Sequence, residues 1–169
     1  MDTKYRTDLT VDRLRELFYY SRRTGAFTRR VKVGNHMPGT IAGSMTNGYV
    51  EIGIDGVSYK AHRLAWLYAY GRWPLDQLDH RDLDRSNNRL RNLRQANNTQ
   101  NNCNQRTRSN NTSGYKGVCF CKQTSRWVAR IRQRGKKLHL GRFDSPQEAF
   151  AAYVCAARKI QGTFANLEI

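Results

Sequence analysis

Four polar side chains near the middle of the sequence have types and spacing suited to metal-assisted chemistry. Asp79 and His80 are adjacent, Asn92 follows at +13 from Asp79, and Asn101 follows at +22. A carboxylate oxygen is a good ligand for a hard divalent cation, and a neutral imidazole can accept a proton from water. A phosphodiesterase that uses one metal ion needs this combination. Each residue alone has an ordinary interpretation, because such residues are also common in loops and turns.

The segments before this group read as short helices and strands. Apolar residues at positions 11, 14, 17 and 18 predict a helix capped by Thr10. Alternation over 49–61 around Asp55-Gly56 predicts a β-hairpin. A basic strand is predicted over 26–33, and a helix over about 63–70 that ends at Gly71. These elements supply a modest apolar core against which the polar group can be held.

The segments around and after the polar group are poor in apolar residues. After His80 the composition changes to Asp, Arg, Asn and Ser, which predicts a loop anchored by Leu90 and Leu93. A short helix is predicted over 97–105. The following polar and basic residues predict an extended linker over 102–112, and therefore a domain boundary.

The last fifty-odd residues predict three strands and a helix. The strands cover about 115–121, 126–133 and 136–143, with a turn at Arg134-Gly135, and Ser145-Pro146-Gln147-Glu148 forms a capping box for the helix. Alternation places Trp127, Ala129 and Ile131 under the helix. It places Arg126, Val128, Arg130 and Arg132 on the opposite, bare and cationic face. The fold class is therefore α+β, with two small domains.

The charge of the chain is strongly positive and unevenly placed. The formal net charge is +17, from 30 Lys+Arg against 13 Asp+Glu, and residues 102–142 contain eleven Lys or Arg and no acidic residue. A solvated charge run is the plain alternative, but the interleaved aromatic residues indicate a folded face directed at a polyanion. No apolar stretch approaches the roughly 20 residues that a membrane-spanning helix needs.

The sequence start, Met1-Asp2-Thr3-Lys4, lacks the apolar core of a signal peptide. We therefore expect the protein to stay in the cytosol of the cell that makes it. The four cysteines, Cys103, Cys119, Cys121 and Cys155, lack a second CxxC or a closely spaced His pair to complete a zinc site. Free thiols in a reducing compartment are the preferred interpretation, and structural zinc is the alternative.

Several motifs in the first 101 residues resemble the HNH endonucleases of the phage and homing type. They are His62-Arg63-Leu64-Ala65-Trp66, Leu78-Asp79-His80, the run from Asn87 to Arg94, and Asn97-Asn98-Thr99-Gln100-Asn101. The resemblance implies a nuclease domain over 1–101, with a ββα-metal core at about 76–105. Some branches of the family have histidine where this chain has Asn101. The homing branch also uses asparagine at that position.

The resemblance implies a role for each residue of the group. His80 is the general base, Asn92 holds its other ring nitrogen, and Asp79 and Asn101 hold one Mg²⁺ or Mn²⁺ ion. His62 and Arg63 are further catalytic candidates that add a cationic contact to the phosphate. For His62, a packing or hydrogen-bonding role is an equally open interpretation.

Residues 113–169 resemble the plant ethylene-response-factor, or APETALA-two, DNA-binding domain. The resemblance rests on the motifs Ser113-Gly114-Tyr115-Lys116-Gly117-Val118, Arg126-Trp127-Val128-Ala129-Arg130-Ile131, Leu140-Gly141-Arg142-Phe143 and Glu148-Ala149-Phe150-Ala151-Ala152-Tyr153. It implies a three-stranded antiparallel sheet in the major groove of DNA. The implied DNA-binding residues are Lys116, Cys119, Cys121, Arg126, Arg130, Arg132, Lys137 and His139. Plant members differ at Cys119, Cys121 and Arg130, so we expect a different base preference.

Taken together, the two resemblances predict a metal-dependent endonuclease that nicks or cuts double-stranded DNA. They imply a homing element of a phage genome that acts in the host cytosol as a monomer or weak dimer. No small-molecule cofactor and no membrane partner are expected. The alternatives are a non-catalytic DNA-binding regulator with a decayed nuclease unit and an RNA-binding protein. The predicted sheet face lacks exposed aromatic residues on which RNA bases could stack, which disfavours the latter.

Overall fold

The computed structural model describes residues 8–133 and 135–167, and the chain divides into two compact units. Unit 1 extends to Asn97 and unit 2 begins at Asn98. Residues 1–4, discussed above for the absence of a signal peptide, and Arg134 of the predicted turn lie outside the described residues. Over the described ranges, no helix combines the length and apolarity needed to cross a bilayer.

Unit 1 has two helices and eight short strands, and unit 2 has two helices and three strands, counted over the described residues. Those of unit 1 are α1 (Val11–Leu17), β1 (Phe18–Tyr20), β2 (Phe27–Arg29), β3 (Ile41–Ala42), β4 (Ser44–Thr46), β5 (Tyr49–Ile54), β6 (Val57–Lys60), α2 (Ala61–Tyr70), β7 (Gln77–His80) and β8 (Leu93–Ala96). Those of unit 2 are α3 (Asn98–Cys103), β9 (Val118–Cys121), β10 (Arg126–Gln133), β11 (Lys136–Phe143) and α4 (Pro146–Gln161). The α+β fold class is confirmed.

The start of unit 1 follows local signals in the sequence. Thr10 caps α1, because its hydroxyl accepts a hydrogen bond from the backbone N–H of Arg13 at 3.2 Å. The hairpin of β5 and β6 turns at Asp55 and Gly56, whose φ angles of 48° and 78° are those that a tight hairpin turn requires. Gly71 ends α2 in the left-handed conformation. The predicted strand over 26–33 is observed only as the shorter β2.

Three antiparallel sheets surround the core of unit 1. Their strand orders are β1-β2-β3, β4-β5-β6 and β7-β8. The largest fully buried side chains in this core are Leu14, Phe18, Phe27, Ile52 and Leu64. Burying each such side chain is worth roughly 1.5–3 kcal/mol, so the core can hold nearby polar groups in place.

The loop between β7 and β8 packs onto the first hairpin of unit 1. The Tyr20 hydroxyl donates to the backbone carbonyl of Asn88 at 2.7 Å, and the Arg89 Nε donates to the carbonyl of Arg23 at 2.7 Å. Gly25 makes this approach possible, because a Cβ atom there would lie 2.6 Å from the Arg89 nitrogen. Contacts with the segment from Tyr20 to Gly25 therefore fix the position of this loop.

Unit 2 is a three-stranded antiparallel sheet, in the order β11-β10-β9, with α4 packed on one face. The Ser145 hydroxyl accepts from the Glu148 N–H at 3.2 Å and so begins α4, as the capping box predicted. The bounds of β10 and β11 agree with the predicted strands. Strand β9 begins later than predicted, at Val118, because the preceding Gly117 has a φ of +75°.

The segment between the two resemblances differs from the extended linker predicted over 102–112. Asn102 and Cys103 complete α3, Asn104 is buried, and all of these residues belong to the same unit as the sheet of β9, β10 and β11. The chain divides between Asn97 and Asn98, four residues before the predicted end of the nuclease domain.

Candidate active site and nucleic-acid interface

Strand β7 ends in the Asp-His pair, and strand β8 places an arginine opposite its carboxylate. Asp79 pairs with Arg94 across the antiparallel ladder. The Nε and Nη2 atoms of Arg94 both contact Oδ2 of Asp79, at 2.8 and 2.7 Å. The two side chains are only 8% and 6% exposed. Such a buried carboxylate requires a cationic partner, which Arg94 provides in this structure.

A second histidine packs against the ring of His80. The ring centroids of His62 and His80 lie 5.0 Å apart, in an edge-to-face arrangement. The ring of Tyr49 lies 5.4 Å from that of His62 and 6.1 Å from that of His80. Helix α2 carries His62 and the hairpin carries Tyr49, so three separate elements build this aromatic cluster.

Burial disfavours the charged form of both imidazoles. It lowers the pKa of His62 to about 2, and the nearby His80, Lys60 and Arg63 act in the same direction. Nδ1 of His62 is buried and has no hydrogen-bond partner among the described residues. Burial also lowers the pKa of His80, while the nearby carboxylates of Asp79, Asp82 and Asp84 act in the opposite direction. A neutral His80 is the form that can accept a proton.

Asn92 organises the loop after His80. Its Nδ2 donates to Oδ1 of Asp82 at 2.9 Å and to the carbonyl of Asn87 at 2.8 Å. Its Oδ1 accepts from the Asp82 N–H at 3.1 Å, and its carbonyl accepts from the Arg81 N–H at 2.9 Å. These bonds hold the loop itself, and Asn92 as the partner of the His80 ring remains a prediction.

The structure surrounds the cluster with cations that the sequence motifs do not single out. The Lys60 ammonium lies 4.2 Å from the centre of the Tyr49 ring, and the Arg85 guanidinium lies 5.0 Å from it. Arg63, a predicted phosphate contact, is instead buried with its guanidinium 5.7 Å from the Trp73 ring. The residues missed by sequence reasoning are Tyr49, Lys60, Arg85 and Arg94. No local sequence signal marks them, because the register of β7 and β8 selects Arg94 and packing selects the others.

The residues predicted to hold a metal are two oxygen donors on different units. Asp79 ends β7 in unit 1, whereas Asn101 lies on α3 in unit 2. Within the described ranges, no group of three or more His, Cys, Asp or Glu side chains is arranged for a metal ion. A small all-oxygen donor set fits Mg²⁺ or Mn²⁺, because such ions also take waters and substrate phosphates as ligands. The predicted set is therefore chemically suited to these ions.

The predicted DNA-binding residues of unit 2 fall into two groups. Exposed side chains are those of Cys119, Arg126, Arg130, Arg132, Lys137 and His139, and Cys121 is half-buried. Arg126 forms an exposed ion pair with Asp144 at 3.1 Å. Lys116 differs, because its ammonium donates to the carbonyls of Cys103 and Gln105, each at 2.7 Å, and burial lowers its pKa. Its observed bonds are structural rather than directed at the sheet face.

Two further placements refine the expected faces of the sheet. Trp127 packs with Ala129 beneath α4, which confirms its predicted place in the core. Val128 was predicted to share the bare face with Arg130, but it is 1% exposed. A register shift between Ala129 and Arg130 interrupts the alternation of β10, so a strict period of two fails at this point.

Comparisons with known proteins find two separate domain matches, the first of which extends across the boundary between unit 1 and unit 2. The family model for HNH endonucleases matches residues 59–103, and the model for the AP2 domain matches residues 113–163. Protein 3.8 of Escherichia phage T7 is 34% identical over 112 residues, which are 64% of this chain and 92% of the phage protein. No solved structure gives a significant match.

Plant proteins match the C-terminal part alone. APETALA2-like protein 2 of Oryza sativa subsp. indica is 41% identical over 56 residues, which are 33% of this chain and 13% of that protein. Dehydration-responsive element-binding protein 2D of Arabidopsis thaliana is 47% identical over 57 residues, which are 32% of this chain and 27% of that protein. The chain thus covers only a small part of these plant relatives.

Proposed function

We propose a function from one premise: the chain belongs to the same family as Protein 3.8 of phage T7, and it joins an HNH endonuclease domain to an AP2 domain. The first domain indicates nuclease activity and the second indicates DNA binding. We infer that the whole protein is a metal-dependent endonuclease that hydrolyses phosphodiester bonds of double-stranded DNA. The observation that carries the proposal is the end of β7, where the His80 ring is buried against His62 and the preceding Asp79 carboxylate is held by Arg94.

His80 is the proposed general base. A proton leaves the attacking water for the ring, and the water oxygen adds to phosphorus as the bond to the leaving oxygen breaks. The packing against His62 and Tyr49 orients the imidazole. General-base catalysis of this kind contributes on the order of 10² to 10⁴ in rate. In this proposal Asn92 also acts through its bonds to Asp82 and Asn87, which fix the loop after His80.

Asp79 and Asn101 are the proposed ligands of one Mg²⁺ or Mn²⁺ ion. When bound, such an ion supplies positive charge that stabilises the developing charge on the phosphate and the leaving oxygen. Arg94 holds Oδ2 of Asp79 and so fixes the direction in which the carboxylate points. The cationic side chains of Lys60 and Arg85 beside Tyr49 are suited to attract the DNA backbone toward His80.

Unit 2 is proposed to bind the DNA duplex. Arg130, Arg132, Lys137 and His139 are exposed on its strands and are proposed to contact DNA, with Cys119, Cys121 and Arg126 beside them. The kinship with a phage protein supports a phage setting. A homing-type role and action in the cytosol of the host are further parts of the proposal. Monomers or weak dimers are proposed, and a double-strand break then requires a second site or a second event.

Incubation with supercoiled plasmid tests the proposal. We expect the purified protein to convert the plasmid to nicked or linear DNA with Mg²⁺ or Mn²⁺, and to leave it intact in EDTA. His80→Ala should abolish conversion and retain DNA binding in a gel-shift assay. Binding without any metal-dependent nicking would refute the enzyme and favour a DNA-binding regulator. Equal loss of binding and cleavage in His80→Ala would mean that His80 supports the fold.

A further inference from the structure

Residues 105–112, here called the basic arm, are held against the sheet of unit 2 at both ends. At the first end, Lys116 bonds the carbonyls of Cys103 and Gln105. The Nδ2 atom of the buried Asn166 also donates to the Gln105 carbonyl, at 3.3 Å. Lys116 and Asn166 are far apart in the sequence and both bond the Gln105 carbonyl, so tertiary contacts hold this end of the basic arm in place.

The second end of the basic arm is fixed by a polar turn. Nδ2 of Asn111 donates to the Tyr115 carbonyl at 2.9 Å, and Oδ1 of Asn111 accepts from the Ser113 hydroxyl at 2.7 Å. The same hydroxyl also lies 2.9 Å from the Val118 carbonyl, at the start of β9. The residues between the two anchors therefore have a defined place beside the strands.

A cavity of about 740 Å³ lies between the basic arm and the strands of unit 2. The arm contributes Arg106 and Arg108 to its lining, and β10 contributes Arg130 and Arg132. All four arginines are exposed, and none of the described residues that line the cavity is acidic. None of the four forms an ion pair with another described residue.

Uncompensated guanidinium groups at one concave site repel one another unless an anion binds between them. Arginine side chains suit phosphate in particular, because their planar donors can bond two oxygens at once. We propose that this cavity binds backbone phosphates of the DNA duplex, with Arg106 and Arg108 as contacts additional to those of the strands. The proposal rests on the proposed function and extends its DNA-binding surface to a segment outside the AP2 match, which begins at residue 113.

The salt dependence of DNA binding tests this proposal directly. Each phosphate contact contributes about 0.9 to the slope of log K against log salt concentration. We expect Arg106→Gln/Arg108→Gln to reduce the slope by about 2, and to do so equally on different duplex sequences. The ratio of affinities at 50 and 200 mM salt should then be about tenfold smaller than for the parent. The full chain in EDTA is used, so that the DNA stays uncut.

Two matched variants distinguish direct phosphate contacts by Arg106 and Arg108 from the effect of the overall positive charge. Arg158→Gln/Lys159→Gln removes the same charge from exposed positions in the last turn of α4, outside the cavity, and should change the slope by less than about 1. Arg106→Lys/Arg108→Lys keeps the charge and should retain most of the parent slope. The proposal would be overturned if the slope of log K against log salt concentration for Arg106→Gln/Arg108→Gln equalled that of the parent or that of Arg158→Gln/Lys159→Gln.

The same proteins distinguish this inference from the proposed nuclease function. If the parent nicks plasmid DNA but the Gln pair keeps its slope, the phosphate site alone is refuted. If the slope falls as expected but no variant nicks DNA with Mg²⁺ or Mn²⁺, the cavity proposal stands and the enzyme proposal fails.

Discussion

The buried ion pair between Asp79 and Arg94 makes the sharpest test of the candidate active site. Arg94→Met removes the guanidinium and leaves a carboxylate that is 6% exposed without the cation that contacts it at 2.7 Å. Removing one partner of a buried pair typically costs about 3–5 kcal/mol, because the remaining charge stays desolvated. We expect Arg94→Met to lower the free energy of unfolding of unit 1 by that amount.

The double variant Asp79→Asn/Arg94→Met provides the decisive comparison. It removes both charges with nearly the same shape, and buried pairs roughly balance their own desolvation cost. Its stability should therefore return to within about 1–2 kcal/mol of the parent. The exposed pair of Arg13 and Asp55 is the control, since Arg13→Met should lower the free energy of unfolding far less than Arg94→Met.

Urea denaturation at pH 7, followed through the tryptophans of unit 1, measures these differences. A loss below about 1 kcal/mol in Arg94→Met would refute the reasoning, and so would a double variant as unstable as the single one. Added Mn²⁺ gives a further readout. If Asp79 is a ligand, the cation should stabilise Arg94→Met by about 2.7 kcal/mol at a hundred times its dissociation constant, and the double variant much less.

Three further predictions concern the imidazoles and the fold of unit 2. Burial lowers the pKa of His62 in the folded protein to about 2, from the ordinary 6.5. Because the unfolded chain then binds a proton that the folded protein does not, the free energy of unfolding should fall by up to about 1.4 kcal/mol per pH unit below pH 6.5. Denaturation at pH 6.5 and 5 should show a shallower fall for His62→Gln; parallel curves would contradict this. His80→Ala should leave the melting temperature of unit 2 unchanged in a thermal scan, while any large shift there would argue against a local role. Gly117→Ala should destabilise unit 2 by several kcal/mol, because the added Cβ would lie 2.3 Å from the Tyr153 ring. Gly114 has a similar φ but open space around it, so Gly114→Ala should cost only about 1 kcal/mol. Equal melting temperatures for these two glycine variants would refute the steric argument.

Local signals in the sequence predicted much of the fold. Thr10 and Ser145 cap their helices as expected, and the turn at Asp55-Gly56 joins the expected strands. These features were predictable because a cap or a tight turn depends on a few neighbouring residues. The short strands β1, β3 and β4 were not predicted, since two or three residues carry too little periodicity to mark a strand.

The candidate site was predictable in its centre and unpredictable in its surroundings. Asp79 and His80 are neighbours along the chain, so the sequence alone places both at the end of β7. The choice of Arg94 for the carboxylate depends on strand register, and the packing of His62 and Tyr49 against the His80 ring depends on how separate elements meet. The bonds of Lys116, which hold the basic arm, likewise depend on packing.

The sequence by itself determined the two domain types, the cationic character of the second, and the Asp-His pair of the first. The tertiary structure alone decided which groups surround that pair and which cations remain exposed to DNA. The physical reason is that a buried charge or imidazole must find its partner among whatever segments pack beside it. That choice is made by long-range contacts, which the order of residues along the chain does not reveal.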